Sequence, residues 1–501
     1  MKMKRSTFLG MSLRAYTTIS CLLILCLAML LLHSGDSAAS AQVAQKPNIV
    51  FILTDDSDYH LLSKMPNIRT ELIQKGVTLH NAFVPFPTCC PGRSTVLRGQ
   101  YPHNHGVIHN YPPEGGLKAF RENGLEDDTL ATRLHDAGYR TGLFGKYMNG
   151  YGSVVDPYKP PGWDSWRAWV DGYRSGELYE DGETVTYNPS ERHETDILGT
   201  KAATFIRNAS EGEKPFFAYI AFNTPHDPSY TEDQYRGAGN GIDYSPSFNE
   251  NRGVSNRIDY SPSFNEEDVS DKPRWVRQFP RLDAETVASY HAKEQQRLEA
   301  MRSVDEEVDH LLNVLREAGE LNNTYFVLWN DNGYHVGEHR IPRGKRTAYE
   351  ENVRYPLIIR GPGVHQDVAP PHMVVGTDLM PTFLDMAAVQ SPSYVDGRSL
   401  MPLLKSTPPP LSDWRSAVLL EGWRFNMERK EYDPPDYKGI RTLKRKYIEY
   451  KSGDRELYNL EHDPYELTNY YDDAAPPVGL VSRLQGLKSC SEDSCRAAEG
   501  P

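Results

Sequence analysis

The chain has 501 residues, 25% of them charged, and a formal net charge of −13 at neutral pH. That length accommodates a large domain with a smaller companion, and the composition is that of an ordinary globular protein. The surplus of carboxylates excludes nucleic acid as a partner, because phosphate backbones are bound by net cationic surface, and any anionic substrate would need a locally positive pocket.

The first 41 residues have the layout of a signal peptide. Lys2, Lys4, Arg5 and Arg14 precede an apolar run from Cys21 to Leu32, followed by the small residues Ala39-Ser40-Ala41. The run is short for a membrane span, so the expectation is export to a secreted, periplasmic or lysosome-like compartment, with no stable span after cleavage.

Asn48 to Thr54 is a continuous apolar run, the mark of a strand buried on both faces, and it ends in Asp55-Asp56. In open α/β sheets ligands sit beyond the carboxyl ends of such strands. Adjacent carboxylates there either cap the next turn or hold a cation. Thr88-Cys89-Cys90-Pro91-Gly92-Arg93-Ser94 then opens a helix, with Thr88 placed to cap it and Pro91 suited to its first turn. A helix N-terminus welcomes an anion, and Arg93 adds a fixed positive charge one turn on. Neighbouring cysteines do not bridge each other without strain, so Cys89 and Cys90 read as buried thiols or as a reactive site.

Thr129 begins a helix through Leu134 to Gly138, and Tyr139 to Phe144 is a strand closing on Gly145-Lys146-Tyr147. Pro215 to Phe222 is another buried strand, followed by Pro225-His226-Asp227. Residues 229–280 are polar, contain a duplicated Ile-Asp-Tyr-Ser-Pro-Ser-Phe-Asn-Glu segment at 242–250 and 258–266, and read as a surface excursion. Val304 to Leu315 carries a helical stripe ending at Gly319. The strand Tyr325 to Trp329 follows and stops at Asn330-Asp331-Asn332, and after Pro342-Arg343-Gly344-Lys345-Arg346 comes the strand Tyr355 to Ile359. The strand–helix alternation predicts an α/β layered catalytic domain over 46–405 with a large, mostly parallel mixed sheet.

Pro408-Pro409-Pro410 reads as a linker, and 411–495 as a small C-terminal subdomain with short antiparallel strands at Arg441 to Tyr450 and Glu456 to Leu460. Cys490 and Cys495 bracket a short polar loop and read as a local disulfide. Asn208 and Asn322 stand in N-glycosylation acceptor patterns.

Four buried strands thus end in Asp55-Asp56, Lys146, His226 and Asp331-Asn332. In a parallel sheet those ends share one edge. Three carboxylates and an amide oxygen form an all-oxygen set suited to Ca²⁺ or Mg²⁺, whereas the His/Cys spacing of zinc sites is absent.

Cys89-x-Pro91-x-Arg93, with Leu53-Thr54-Asp55-Asp56, Gly145-Lys146-Tyr147 and Asp331-Asn332-Gly333-Tyr334-His335, resembles the sulfatase family, and within it the N-acetylglucosamine-6-sulfatase type. The resemblance runs from about residue 46 to residue 495. It implies an alkaline-phosphatase-like fold and a sulfuric ester hydrolase that cleaves sulfate monoesters on sulfated glycans, most of all 6-O-sulfated N-acetylglucosamine. It further implies that Asp55, Asp56, Asp331 and Asn332 hold Ca²⁺ (Mg²⁺ being the alternative). Cys89 would be oxidised to formylglycine by a formylglycine-generating enzyme, complete the metal shell and supply the nucleophile. Arg93 would hold its hydrate, Lys146 and Lys345 would grip the sulfate, His226 would lie on the leaving-group side, and His335 would contact substrate or protonate the leaving group. The chain departs from the family at Gly92, where Ser is usual, and at Met148, where many members carry His.

Three other functions compete. One is an arylsulfatase of broad specificity. Another is a phosphate or phosphonate monoester hydrolase on the same scaffold, since fold does not fix function. The third is a non-catalytic binder of sulfated glycans, against which the full set of ligand and cationic residues argues.

Overall fold

In the computed structural model, residues 45–172, 175–188, 192–227, 260–424 and 433–501 are described. The expected signal segment, the first copy of the duplicated loop and the start of the second lie outside them. Among the described residues no helix is long and apolar enough to cross a membrane.

Residues 46–501 pack as one unit. The strands are β1 (Asn48–Thr54), β2 (Val77–Leu79), β3 (Ala82–Phe83), β4 (Arg140–Gly145), β5 (Ser165–Trp169), β6 (Glu177–Glu180), β7 (Glu183–Thr186), β8 (Phe216–Ala221), β9 (Thr324–Asn330), β10 (Leu357–Arg360), β11 (Val374–Val375), β12 (Ala417–Gly422), β13 (Tyr437–Thr442), β14 (Arg445–Tyr450) and β15 (Arg455–Asn459). Nine of them form one sheet in the order β2-β10-β9-β1-β8-β4-β5-β6-β7. Its centre, β9-β1-β8-β4-β5, is parallel, as the continuous apolar runs of β9, β1 and β8 predict. The margins are antiparallel, including β10 against β9, so the strand near Tyr355 to Ile359 reverses direction.

Both faces of the centre are covered. Phe217 stacks toward Phe383 of the helix Leu379–Met386, while its neighbour Phe216 packs on Phe205 of the helix Glu194–Ser210. Alternation of side chains along a strand puts these two contacts on opposite sides. The long helix Ala284–Glu317 lies against Glu194–Ser210. The helix predicted after Thr129 forms as Leu130–Asp136 with Thr129 in a capping box.

Three expectations need correction. The stretch 260–280 is not a surface excursion: Trp275, Val276 and Phe279 are buried in a second apolar cluster with the C-terminal strands. The short spacing of apolar residues in a polar segment hid this. The proline run is anchored, with the Pro409 carbonyl 2.8 Å from His372 Nε2 and the Trp414 indole N–H donating to the Met373 carbonyl. Thr88 takes the N-cap position, but its side chain makes no capping bond.

The C-terminal sheet runs β12-β13-β14-β15, all antiparallel. Cys490 and Cys495 are disulfide-bonded. Asn208 and Asn322 are both exposed.

Candidate active site

The parallel register sets the C-terminal ends of β9, β1, β8 and β4 side by side, and the site is built on that edge. Asp55 and Asp56 follow β1, Lys146 follows β4, Asp331 and Asn332 follow β9, and His226 lies five residues beyond β8. Cys89 is the first residue of the helix Cys89–Arg98, whose N-terminus faces the same edge. Gly145 is required where it stands: its φ is +115°, and a Cβ would lie 2.1 Å from the Ala221 carbonyl oxygen. Asp56 has φ +60°, a left-handed conformation rare outside glycine that turns its carboxylate toward the centre.

Cys89 Sγ lies 3.6 Å from Asp55 Oδ1 and 2.9 Å from Lys345 Nζ. Lys345 also pairs with Asp56, and Lys146 with Asp55. Arg93 reaches across the floor, donating from Nε to Asp331 Oδ2 (2.9 Å) and from Nη1 to the Lys146 carbonyl (2.7 Å), with Nη2 3.4 Å from Asp55 Oδ2. His226 Nε2 is 3.5 Å from Asp56 Oδ2. Its Nδ1 is 2.8 Å from the Asp227 carbonyl, which only accepts, so Nδ1 carries a hydrogen. The structure therefore brings together Asp55, Asp56, Cys89, Arg93, Lys146, His226, Asp331, Asn332 and Lys345.

Burial and charge set the protonation states. Burial alone would raise Asp55, but Lys146, His226 and Arg93 outweigh it and hold this carboxyl well below the usual range. Asp56 is likewise lowered, burial being outweighed by Lys345 and His226. Asp331 is pushed up to about 6 by burial and by the Asp55 charge. Burial and Asp55 push the Cys89 thiol up to about 11.

The residues fit a hard divalent cation. Among the described residues, Asp55, Asp56, Cys89 and His226 place ligand atoms within 4.8 Å of one another. Asn332 donates from Nδ2 to Asp56 Oδ1 at 2.6 Å, while its buried Oδ1 has no hydrogen-bond partner. A buried amide oxygen without a partner is costly, and a cation beside Asp56 would satisfy it.

His335 does not join the site. Its ring is fully buried, with Nε2 2.7 Å from Thr347 Oγ1 and Nδ1 3.5 Å from Glu338 Oε2. Its backbone pairs with Gly344, next to Lys345, so it supports the lysine loop instead of facing substrate. Met148 is also buried, its sulfur 4.0 Å from Ser94 Oγ, and offers no proton donor.

A cleft of about 310 Å³ opens over Lys146 and His226, walled by Tyr111, Asn149, Trp169, Asp171 and Glu194. Sequence reading missed Glu194. Its Oε1 accepts from both the Thr224 N–H (2.5 Å) and the Thr224 hydroxyl (2.8 Å), bracing the turn that carries His226. No local signal marks it, because it sits at the start of an ordinary amphipathic helix.

A sulfatase family profile matches residues 47–389, and a profile for the C-terminal region of N-sulphoglucosamine sulphohydrolase matches 337–485. The chain is 31% identical to human N-acetylglucosamine-6-sulfatase over 94% of its own length and 90% of that protein. It is 33% identical to an extracellular sulfatase SULF-1 homolog of Drosophila melanogaster over 77% of its length, but spans only 34% of that longer relative. Among solved structures it is similar to a protein in complex with its substrate D-glucosamine-2-N,6-O-disulfate, at 25% identity and a TM-score of 0.70, covering 90% of this chain and 98% of that one. With the family profile covering most of its length and its residues at the strand ends in place, the chain belongs to the sulfatase family.

Proposed function

We propose that this sulfatase hydrolyses the 6-O-sulfate of N-acetylglucosamine or a related sulfated glycan, in an exported compartment, using Ca²⁺ and formylglycine at position 89. The observation that carries the reading is the meeting of residue 89 with Lys146, Lys345 and the three carboxylates at one helix N-terminus. A plain thiol could attack sulfur but has no second hydroxyl with which to release the product, which a geminal diol does have. The relatives named for N-acetylglucosamine-6-sulfatase activity support the choice of sugar.

Hydrated formylglycine at residue 89 would supply two geminal hydroxyls, one as the nucleophile toward sulfur and one for the release of sulfate afterwards. A divalent cation held by Asp55, Asp56, Asp331 and Asn332 supplies Lewis-acid charge that offsets the anionic ester. Lys146 and Lys345 bind and neutralise the sulfate oxygens, so that an anion tolerates attack by another anion. Arg93 fixes Asp331 and Asp55 in place. His226, its Nδ1 anchored on the Asp227 carbonyl, presents Nε2 to the cleft and delivers a proton to the departing sugar oxygen.

Mass spectrometry of the tryptic peptide Gly76–Arg93 from the native host tests this first. Formylglycine at residue 89 is the expected result, with turnover of N-acetylglucosamine 6-sulfate exceeding that of phosphate and phosphonate esters. Two unmodified cysteines in active protein would overturn the mechanism.

A further inference from the structure

The turn carrying His226 is held from two sides. Behind it, Glu194 fixes Thr224, and the Thr224 carbonyl accepts the Asp55 N–H at 3.4 Å. In front, Arg343 Nη2 donates to Asp227 Oδ2 at 2.6 Å. Arg343 precedes Lys345 by two residues, so this ion pair joins the loop holding the sulfate-binding lysine to the turn holding the imidazole. The pair is constrained: the Arg343 side chain is 15% exposed, and its guanidinium lies over the Tyr334 ring at 5.7 Å. Asp227 in turn positions His226 through its own carbonyl, 2.8 Å from Nδ1. Displacing Asp227 therefore moves the ring.

We infer that Arg343 is a positioning residue that acts through Asp227, setting the proton-delivering Nε2 of His226 relative to Lys345. The inference rests on the proposed role of His226. It predicts a dependence on leaving group. An alkoxide departing from a sugar sulfate needs the proton, whereas the phenolate departing from 4-nitrophenyl sulfate is stable without it.

The test compares wild type, H226A, R343A, R343K, D227N and the double variant R343A/H226A on N-acetylglucosamine 6-sulfate and on 4-nitrophenyl sulfate. Rates are normalised to the formylglycine content of each preparation. The expectation for H226A is a loss in kcat of roughly 10²-fold or more on the sugar sulfate and much less on the aryl sulfate. R343A and D227N should lose roughly tenfold or more in kcat on the sugar sulfate, with KM little changed and aryl turnover nearly intact, since a small misplacement of a catalytic group suffices for that. R343K should recover part of the loss, and the double variant should be no slower than H226A, as expected for residues acting as a unit. The aryl activity reports folding. Equal losses on both substrates would make Arg343 merely structural, and a raised KM at unchanged kcat would make it a substrate contact; either overturns the inference. If H226A itself affects both substrates alike, the proton-donor assignment falls and the inference with it. If H226A discriminates and R343A does not, only the inference falls.

Discussion

Gly92 stands where sulfatases usually carry serine, and the geometry explains the difference in this chain. A Cβ at residue 92 would lie 2.5 Å from the Asp331 carbonyl oxygen, closer than such contacts occur. The Cys89 helix thus packs directly on the backbone of a proposed metal ligand. Gly92→Ser should therefore push the helix and Asp331 apart. We expect a fall in kcat of roughly tenfold or more per formylglycine-bearing molecule, the scale associated with sub-ångström to ångström misplacement. Peptide mass spectrometry beside kinetics separates this from poorer conversion of Cys89; unchanged kcat per converted molecule would refute it. Asn332 offers a second prediction at this scale. Its buried Oδ1 has no hydrogen-bond partner, and the proposed function gives it a ligand role. Chelation should abolish activity, Ca²⁺ should restore it, and Asn332→Ala should raise the Ca²⁺ concentration for half-maximal activity by roughly tenfold, as loss of a neutral ligand commonly does.

Between elements, one buried charge ties the C-terminal sheet to the stretch that follows the Cys89 helix. Glu421 on β12 is fully buried, accepts the His103 backbone N–H at 3.2 Å, lies 3.0 Å from His103 Nδ1 and pairs with Lys438. Burial would raise its pKa, but Lys438 and His103 outweigh burial and hold it at about 2. His103 is raised above 6.5, burial being outweighed by Glu421. The signs follow from linkage. The lowered carboxyl stabilises above its unfolded value of 4.5 and loses this as pH falls through about 2. The raised imidazole stabilises below 6.5 and loses this as pH rises through its folded value. Both contribute fully between 4.5 and 6.5. Glu421→Gln should cost roughly 3 kcal/mol in that window, the scale for breaking a buried pair. The Tm deficit should narrow toward pH 9 as the His103 contribution is lost; a deficit independent of pH would show that the His103–Glu421 pair contributes nothing.

At the scale of the molecule, the net charge of −13 opposes the approach of long polyanions. The cleft, at about 310 Å³, is at the small end of ligand sites and suits one or two sugar rings. Terminal sulfated residues should thus be processed faster than internal ones of heparin-like chains. The gap should widen as salt is lowered, because the screening length grows from about 10 Å at 0.1 M to about 30 Å at 0.01 M. Equal release of internal and terminal sulfates would count against the prediction.

The sequence by itself determined the central strands β1, β8 and β9, because full burial leaves a nearly uninterrupted apolar run that no neighbour is needed to read, and it placed β4 by the helix and glycine that precede it. It also determined that their ends carry Asp55, Asp56, Lys146, Asp331 and Asn332, since parallel strands share one edge, and the Cys89 motif named the family. Only the tertiary structure decided what depends on loops crossing that edge. It turned Lys345 onto Asp56 and Cys89, buried His335 behind the lysine loop, and put Trp275 and Phe279 into a core their polar neighbours concealed. It set Glu194 and the Arg343–Asp227 pair around His226. Apart from those of His335, these contacts join residues 30 or more positions apart, as in Arg343–Asp227 at a separation of 116. Neither helical nor strand periodicity records them, because a loop's path is set by what it packs against and not by its own pattern.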